Sequence, residues 1–72
     1  MGERPPADTL AAALPREMVR VAGLIPLYRQ VENGGLAAAL TQASIDRAQE
    51  AIASGDVLAM FRAYHDLQGY EL

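Results

Sequence analysis

Apolar residues recur along this chain at helical spacing. Met18, Val21, Ala22 and Ile25 fall at i, i+3, i+4 and i+7, one side of a helix. Pro15 suits the first position of that helix, where its missing N–H costs nothing. Asp8 or Thr9 caps a short turn ahead of it, over Leu10 to Leu14. The spacing predicts a first helix from about Pro15 to Val31. Pro26 interrupts it, because it has no N–H for the Ala22 carbonyl and its ring crowds that oxygen. Gly23 loosens the same turn, so a kink or brief break is expected between Gly23 and Pro26. A second stripe follows: Leu24, Leu27, Tyr28 and Val31. It is rotated by roughly 100° from the first, so the two halves bury different directions.

Asn33-Gly34-Gly35 reads as a turn, since Asn and Gly tolerate the left-handed conformation. A second helix is expected from about Leu36 to Ser54. Ala37, Leu40, Thr41, Ser44, Ile45, Ala48, Ala51 and Ile52 share its broad inner face, opposite Gln42, Asp46, Gln49 and Glu50. Arg47 and Glu50 stand at ion-pair spacing. Ser54-Gly55-Asp56 is the sharpest punctuation: Gly55 takes a positive φ and Asp56 caps the next helix. The third helix runs from Asp56 to about Gln68. Val57, Met60, Phe61, Tyr64 and Leu67 form its inner stripe, with Arg62, His65 and Asp66 opposite. Gly69 ends it, and Tyr70 is placed to fold back toward Tyr64. There is no internal repeat and no strand candidate. The expected fold is all-α: a small three-helix domain over residues 9–72, preceded by a disordered arm at 1–8 that is charged and carries Pro5-Pro6.

Size changes this picture. A chain of 72 residues buries only roughly 60% of its unfolded surface, so its stability is marginal. Small domains compensate with disulfides, metals or self-association. There is no Cys, which also fits the cytoplasm. His65 is the single His and no acidic cluster resembles a cation cage, so no metal or cofactor is expected. Self-association or docking on another protein remains. The hydrophobic fraction of 51% agrees with that route.

The net charge is −3 and every positive side chain is Arg. Nucleic-acid binding rests on cations that neutralise phosphates, so the balance disfavours it. No apolar run approaches the roughly 20 residues of a membrane span, and the first residues lack a signal peptide's apolar stretch.

Nothing in the sequence assembles into a catalytic set. Ser44 or Ser54, His65 and Asp66 supply the residue types of a triad, but neighbours on a helix point roughly 100° apart. Asp46 and Glu50, at i,i+4, read as a solvated face. Asn33-Gly34-Gly35 lacks the Lys and spacing of a phosphate loop. No enzyme is expected. Leu24, Leu27, Tyr28 and Val31, with Leu58 and Phe61, are apolar groups that three helices struggle to cover together, and such surface marks interfaces. These six are the candidate contact residues. The expected partner is a second copy of the chain or a larger protein. Alternatives are a helix-turn-helix regulator, suggested by the short joint before the third helix, and a minor phage assembly or structural protein.

Leu14-Pro15-Arg16-Glu17-Met18, Pro26-Leu27-Tyr28-Arg29, Ser54-Gly55-Asp56-Val57 and then Met60, Arg62, Ala63 and Tyr64 together resemble short helical proteins encoded by temperate phages and prophages of proteobacteria. The resemblance runs from Leu14 to Leu67. It implies a cytoplasmic accessory protein that binds and redirects a host protein. It implies no active site and no functional residue.

Overall fold

A computed structural model describes residues 9–71. The arm expected at 1–8, with the alternative cap Asp8, lies outside them. The described residues form a small all-α domain of three helices, the first of them bent. The limbs of the bent helix are α1, Leu10–Ala22, and α2, Ile25–Gln30. The second helix, α3, is Gly34–Ser54, and the third, α4, is Val57–Gln68.

The bend falls where Gly23 and Pro26 predict it. Gly23 and Leu24 keep right-handed backbone angles, but the Leu24 N–H reaches the Val21 carbonyl, three residues back. The helix restarts at Ile25, so Pro26 sits in a first turn where no N–H is needed.

The start of α1 corrects the sequence reading. Helix begins at Leu10, and Pro15 lies inside it. Leu10-Ala-Ala-Ala-Leu14 is a strong helix former. Leu14 is fully buried, and that anchor offsets the one hydrogen bond Pro15 forfeits. Thr9 is the N-cap residue, without a side-chain bond.

The other joints behave as expected. Asn33 has φ 66° and Gly55 φ 70°, both left-handed. Asp56 Oδ1 accepts from the Ala59 N–H at 3.1 Å and caps α4. α3 starts two residues earlier than predicted, at Gly34.

α1 and α4 both pack on α3 and on each other, while α2 packs on α3. Arg47 bonds Asp66, and Ser44, three residues earlier, bonds Tyr70, four residues later. That reversal makes α3 and α4 an antiparallel hairpin. A helix-turn-helix pair would cross at roughly 90–120°.

The core holds Leu14, Val21, Ile25, Ile45, Met60 and Leu67 with Ala38, Ala48, Ala51 and Ala63. Buried Thr41 donates to the Ala37 carbonyl at 2.6 Å. Among the described residues no buried side-chain polar atom is left unpaired.

The segment after α4 straps the helices together. The Arg20 guanidinium donates to the carbonyls of Leu67 (3.1 Å) and Tyr70 (3.0 Å). The Tyr28 hydroxyl donates to the Glu71 carbonyl at 3.1 Å. The Tyr70 hydroxyl donates to the Leu40 carbonyl at 3.2 Å and lies 2.9 Å from Ser44 Oγ. Tyr70 thus turns onto α3, not onto Tyr64 as the sequence suggests. Arg47 bonds Asp66 and Ser44, not Glu50.

Glu17 orients Arg20 through two short bonds, 2.8 and 3.0 Å. These bonds hold the Glu17 carboxyl below its ordinary value, and partial burial opposes them. A lowered folded-state value means the contribution is present above the unfolded carboxylate pKa and is lost as pH falls through the folded one. Acid titration of thermal stability should therefore show Glu17→Gln less stable than the parent at neutral pH, with the gap closing below about pH 4. A constant gap would refute the assignment.

Gly34 supplies a second test. A Cβ there would run into the Tyr28 carbonyl, whereas one at Gly35 meets nothing within 4 Å. Gly34→Ala should cost about 1–3 kcal/mol, a loss of roughly 4–8 °C in Tm per kcal/mol for a domain this small. Gly35→Ala should be neutral or stabilising. Thermal melts of the pair check the contrast.

Candidate interaction surface

Large apolar side chains divide unevenly between inside and outside. Six are buried, and nine stand well exposed: Val19, Leu27, Val31, Leu36, Leu40, Ile52, Val57, Leu58 and Phe61. The six predicted contact residues fall into two groups. Leu58 and Phe61 are exposed on α4. On the other limb Leu27 and Val31 are exposed, Leu24 is half-buried, and Tyr28 is half-buried against the core. α2 packs on α3 whereas α4 packs on α3 and α1, so the two groups sit on different parts of the molecule.

α4 presents the densest group. Val57 is 68% exposed, Leu58 57% and Phe61 51%. All three lie within five consecutive residues and share one side of the helix at 100° per residue. The His65 ring meets the Phe61 ring edge-on, 5.2 Å between centroids and 82° between planes. This corrects the expected inner stripe. Met60 and Leu67 are buried and Tyr64 half-buried, but Val57 and Phe61 face out. The inner face is rotated toward Ala63 and Ala59, which sequence hydrophobicity underweights. The same misreading affects α3, where Leu40 and Ile52 were expected inside and are exposed. Leu36, Leu40 and Val19 belong to the exposed set, and no sequence signal marked them as such.

A second exposed group lies beside the strap. Leu36 is 70% exposed. It precedes Leu40 by four residues, on the same side of α3, and the Leu40 carbonyl holds Tyr70. Val31 follows Tyr28 by three residues, and Tyr28 holds Glu71. Leu36 and Leu40 on α3 therefore lie on the strap's side of that helix, and Val31, the extended residue that closes α2, lies at the joint beside Gly34.

Two grooves run along α3. The one facing α4 has a volume of about 600 Å³. Ala51, Ala59 and Ala63 form its floor, and Arg47, Glu50, Arg62 and Asp66 its rim. The charges there are balanced, and Arg47 pairs with Asp66 at 3.2 Å. The groove facing α1, about 350 Å³, is apolar, with Met18, Val19, Ile45 and Ile52 on its walls.

Acid–base and metal chemistry find no assembled set among the described residues. Among those residues no group of three or more His, Cys, Asp or Glu could hold a metal ion. His65 faces Phe61, Asp66 faces Arg47, and Asp46 accepts from Gln42 at 3.0 Å. Glu50 lines the charged rim. Asn33-Gly34 serves as the joint into α3. Among the described residues no helix is long and apolar enough to cross a membrane. No family model, curated protein or solved structure matches the chain.

Proposed function

We propose that this chain is a non-enzymatic interaction protein that pairs with a second copy of itself through its exposed apolar side chains. The observation that carries the reading is the excess of large apolar groups outside over inside, nine against six among the described residues. Small monomers scatter such groups singly, whereas a contiguous apolar patch favours a contact. Val57, Leu58 and Phe61 form such a patch on one helix. An aromatic ring at its centre, flanked by aliphatic groups, has the composition of an interface anchor.

The route suits a chain this small. It has no Cys to crosslink, and four of its ten buried apolar residues are Ala. Pairing adds the buried apolar area that such a core lacks. A cytoplasmic accessory role of the kind temperate phages encode is consistent with this reading, and in that role the same surface docks on a larger protein.

Light scattering over a concentration series tests it. The parent should pass from monomer to dimer as concentration rises. Phe61→Glu should weaken pairing at least tenfold, about 1.4 kcal/mol or more, and leave the helical signal intact. A parent that stays monomeric at the highest attainable concentration would end the proposal.

A further inference from the structure

α4 is shorter than the helix it covers. Its 12 residues span about 18 Å at 1.5 Å per residue, against about 31 Å for the 21 residues of α3. Antiparallel packing from the Gly55 joint brings α4 to its end near Ser44, where Tyr70 bonds. Toward Gly34, α3 has α2 beside it, and α4 makes no extensive contact with α2. The bundle is three helices deep at one end and two at the other. The place of the third helix holds the strap, bonded to Tyr28 on one side and to Leu40 on the other. Leu36, Leu40 and Val31 stand exposed around it.

We infer that the apolar face over this strap, the slot, with Leu36 and Leu40 on α3 and Val31 at the end of α2, receives the Val57–Leu58–Phe61 ridge of α4 from a second copy, and that the second copy's slot receives the ridge of the first. The inference rests on the self-association proposed above and names its two surfaces. The slot is floored by the strap and flanked by exposed aliphatic side chains, and the ridge is an exposed helical face that lacks a cover. From Val57 to His65 the ridge face is about 12 Å long, which fits the roughly 13 Å by which α3 outruns α4. The flanking charges are opposite in sign. Arg62 adjoins the ridge and Glu32 adjoins the slot, and neither has an ion-pair partner among the described residues. Two reciprocal contacts related by a two-fold axis close the assembly as a dimer.

Complementation between two full-chain variants tests the pairing. Leu36→Glu disables the slot and Phe61→Glu disables the ridge, and both positions are exposed, so the fold tolerates each. Each variant alone should be monomeric where the parent is dimeric. Mixed, they retain one intact contact, Phe61 of the slot variant against Leu36 of the ridge variant. A heterodimer should therefore appear by light scattering at concentrations where each variant alone stays monomeric. Failure of the mixture to associate overturns the inference, and so does a dimer formed by either variant alone, which would mean ridge-to-ridge or slot-to-slot contact. A parent that never pairs removes the self-association reading as well. A parent that pairs without complementation removes only this one.

Discussion

The contact between α3 and α4 is made of small side chains, and the rest of the molecule follows from it. Ala48 and Ala51 on one helix and Ala63 on the other are buried. Small residues let helix axes approach toward the short end of the usual 8–10 Å range. On its outer side Ala51 and Ala63 floor the groove of about 600 Å³ between the two helices. Larger groups are moved to its edges, where Met60 and Leu67 reach α1 and the core but Val57, Phe61 and Leu40 do not. Polar groups on α3 are buried only with partners. Thr41 closes on its own helix, and Ser44 is satisfied by Tyr70 and Arg47. The outward apolar surface is thus the complement of an inward alanine one.

The strap compensates for the weakest element. α2 has six residues and contributes one buried side chain, Ile25. A helix of that length does not persist through its own hydrogen bonds. The Tyr28 bond to Glu71, the close fit of Gly34 under the Tyr28 carbonyl and the seating of Ile25 hold it. Arg20 does the matching work at the end of α4, adding a second donor to the Leu67 carbonyl, which already accepts from the Tyr70 N–H, and bonding the Tyr70 carbonyl beyond the helix. Elements with few buried contacts open first in a folded protein, and these ties act where that weakness is greatest.

Punctuation was the legible part of the sequence. Gly55, Asp56, Asn33 and the Gly23–Pro26 pair have conformational meanings that hold in most surroundings, and each sits where its chemistry predicts. Helix faces were less legible. Periodicity locates a stripe but weights residues by hydrophobicity, so Val57 and Phe61 outrank Ala59 and Ala63 even though the alanines touch α3. Pro15 misled for a different reason. Its local preference is to start a helix, and burial of Leu14 outweighed it. Long-range ties such as Tyr70 to Ser44 and Arg47 to Asp66 join positions with no sequence relation, so no local pattern announces them. Of the surface candidates, Leu27, Val31, Leu58 and Phe61 were legible as excess apolar groups, whereas the exposure of Leu36, Leu40 and Val57 depends on where α4 stops and how it is rotated.

The two-residue joint at Gly55-Asp56 also bears on how the molecule assembles. Its closure brings α3 and α4 together at almost no loop entropy, so this hairpin is the cheapest tertiary unit to form. The α1–α4 contact spans α2 and α3, joins the most distant parts of the chain and is reached last. Topologies dominated by such local pairings fold in microseconds to milliseconds. Loop entropy therefore favours closing the alanine seam before α1 docks, an order that turns the larger apolar groups outward ahead of the bundle's closure.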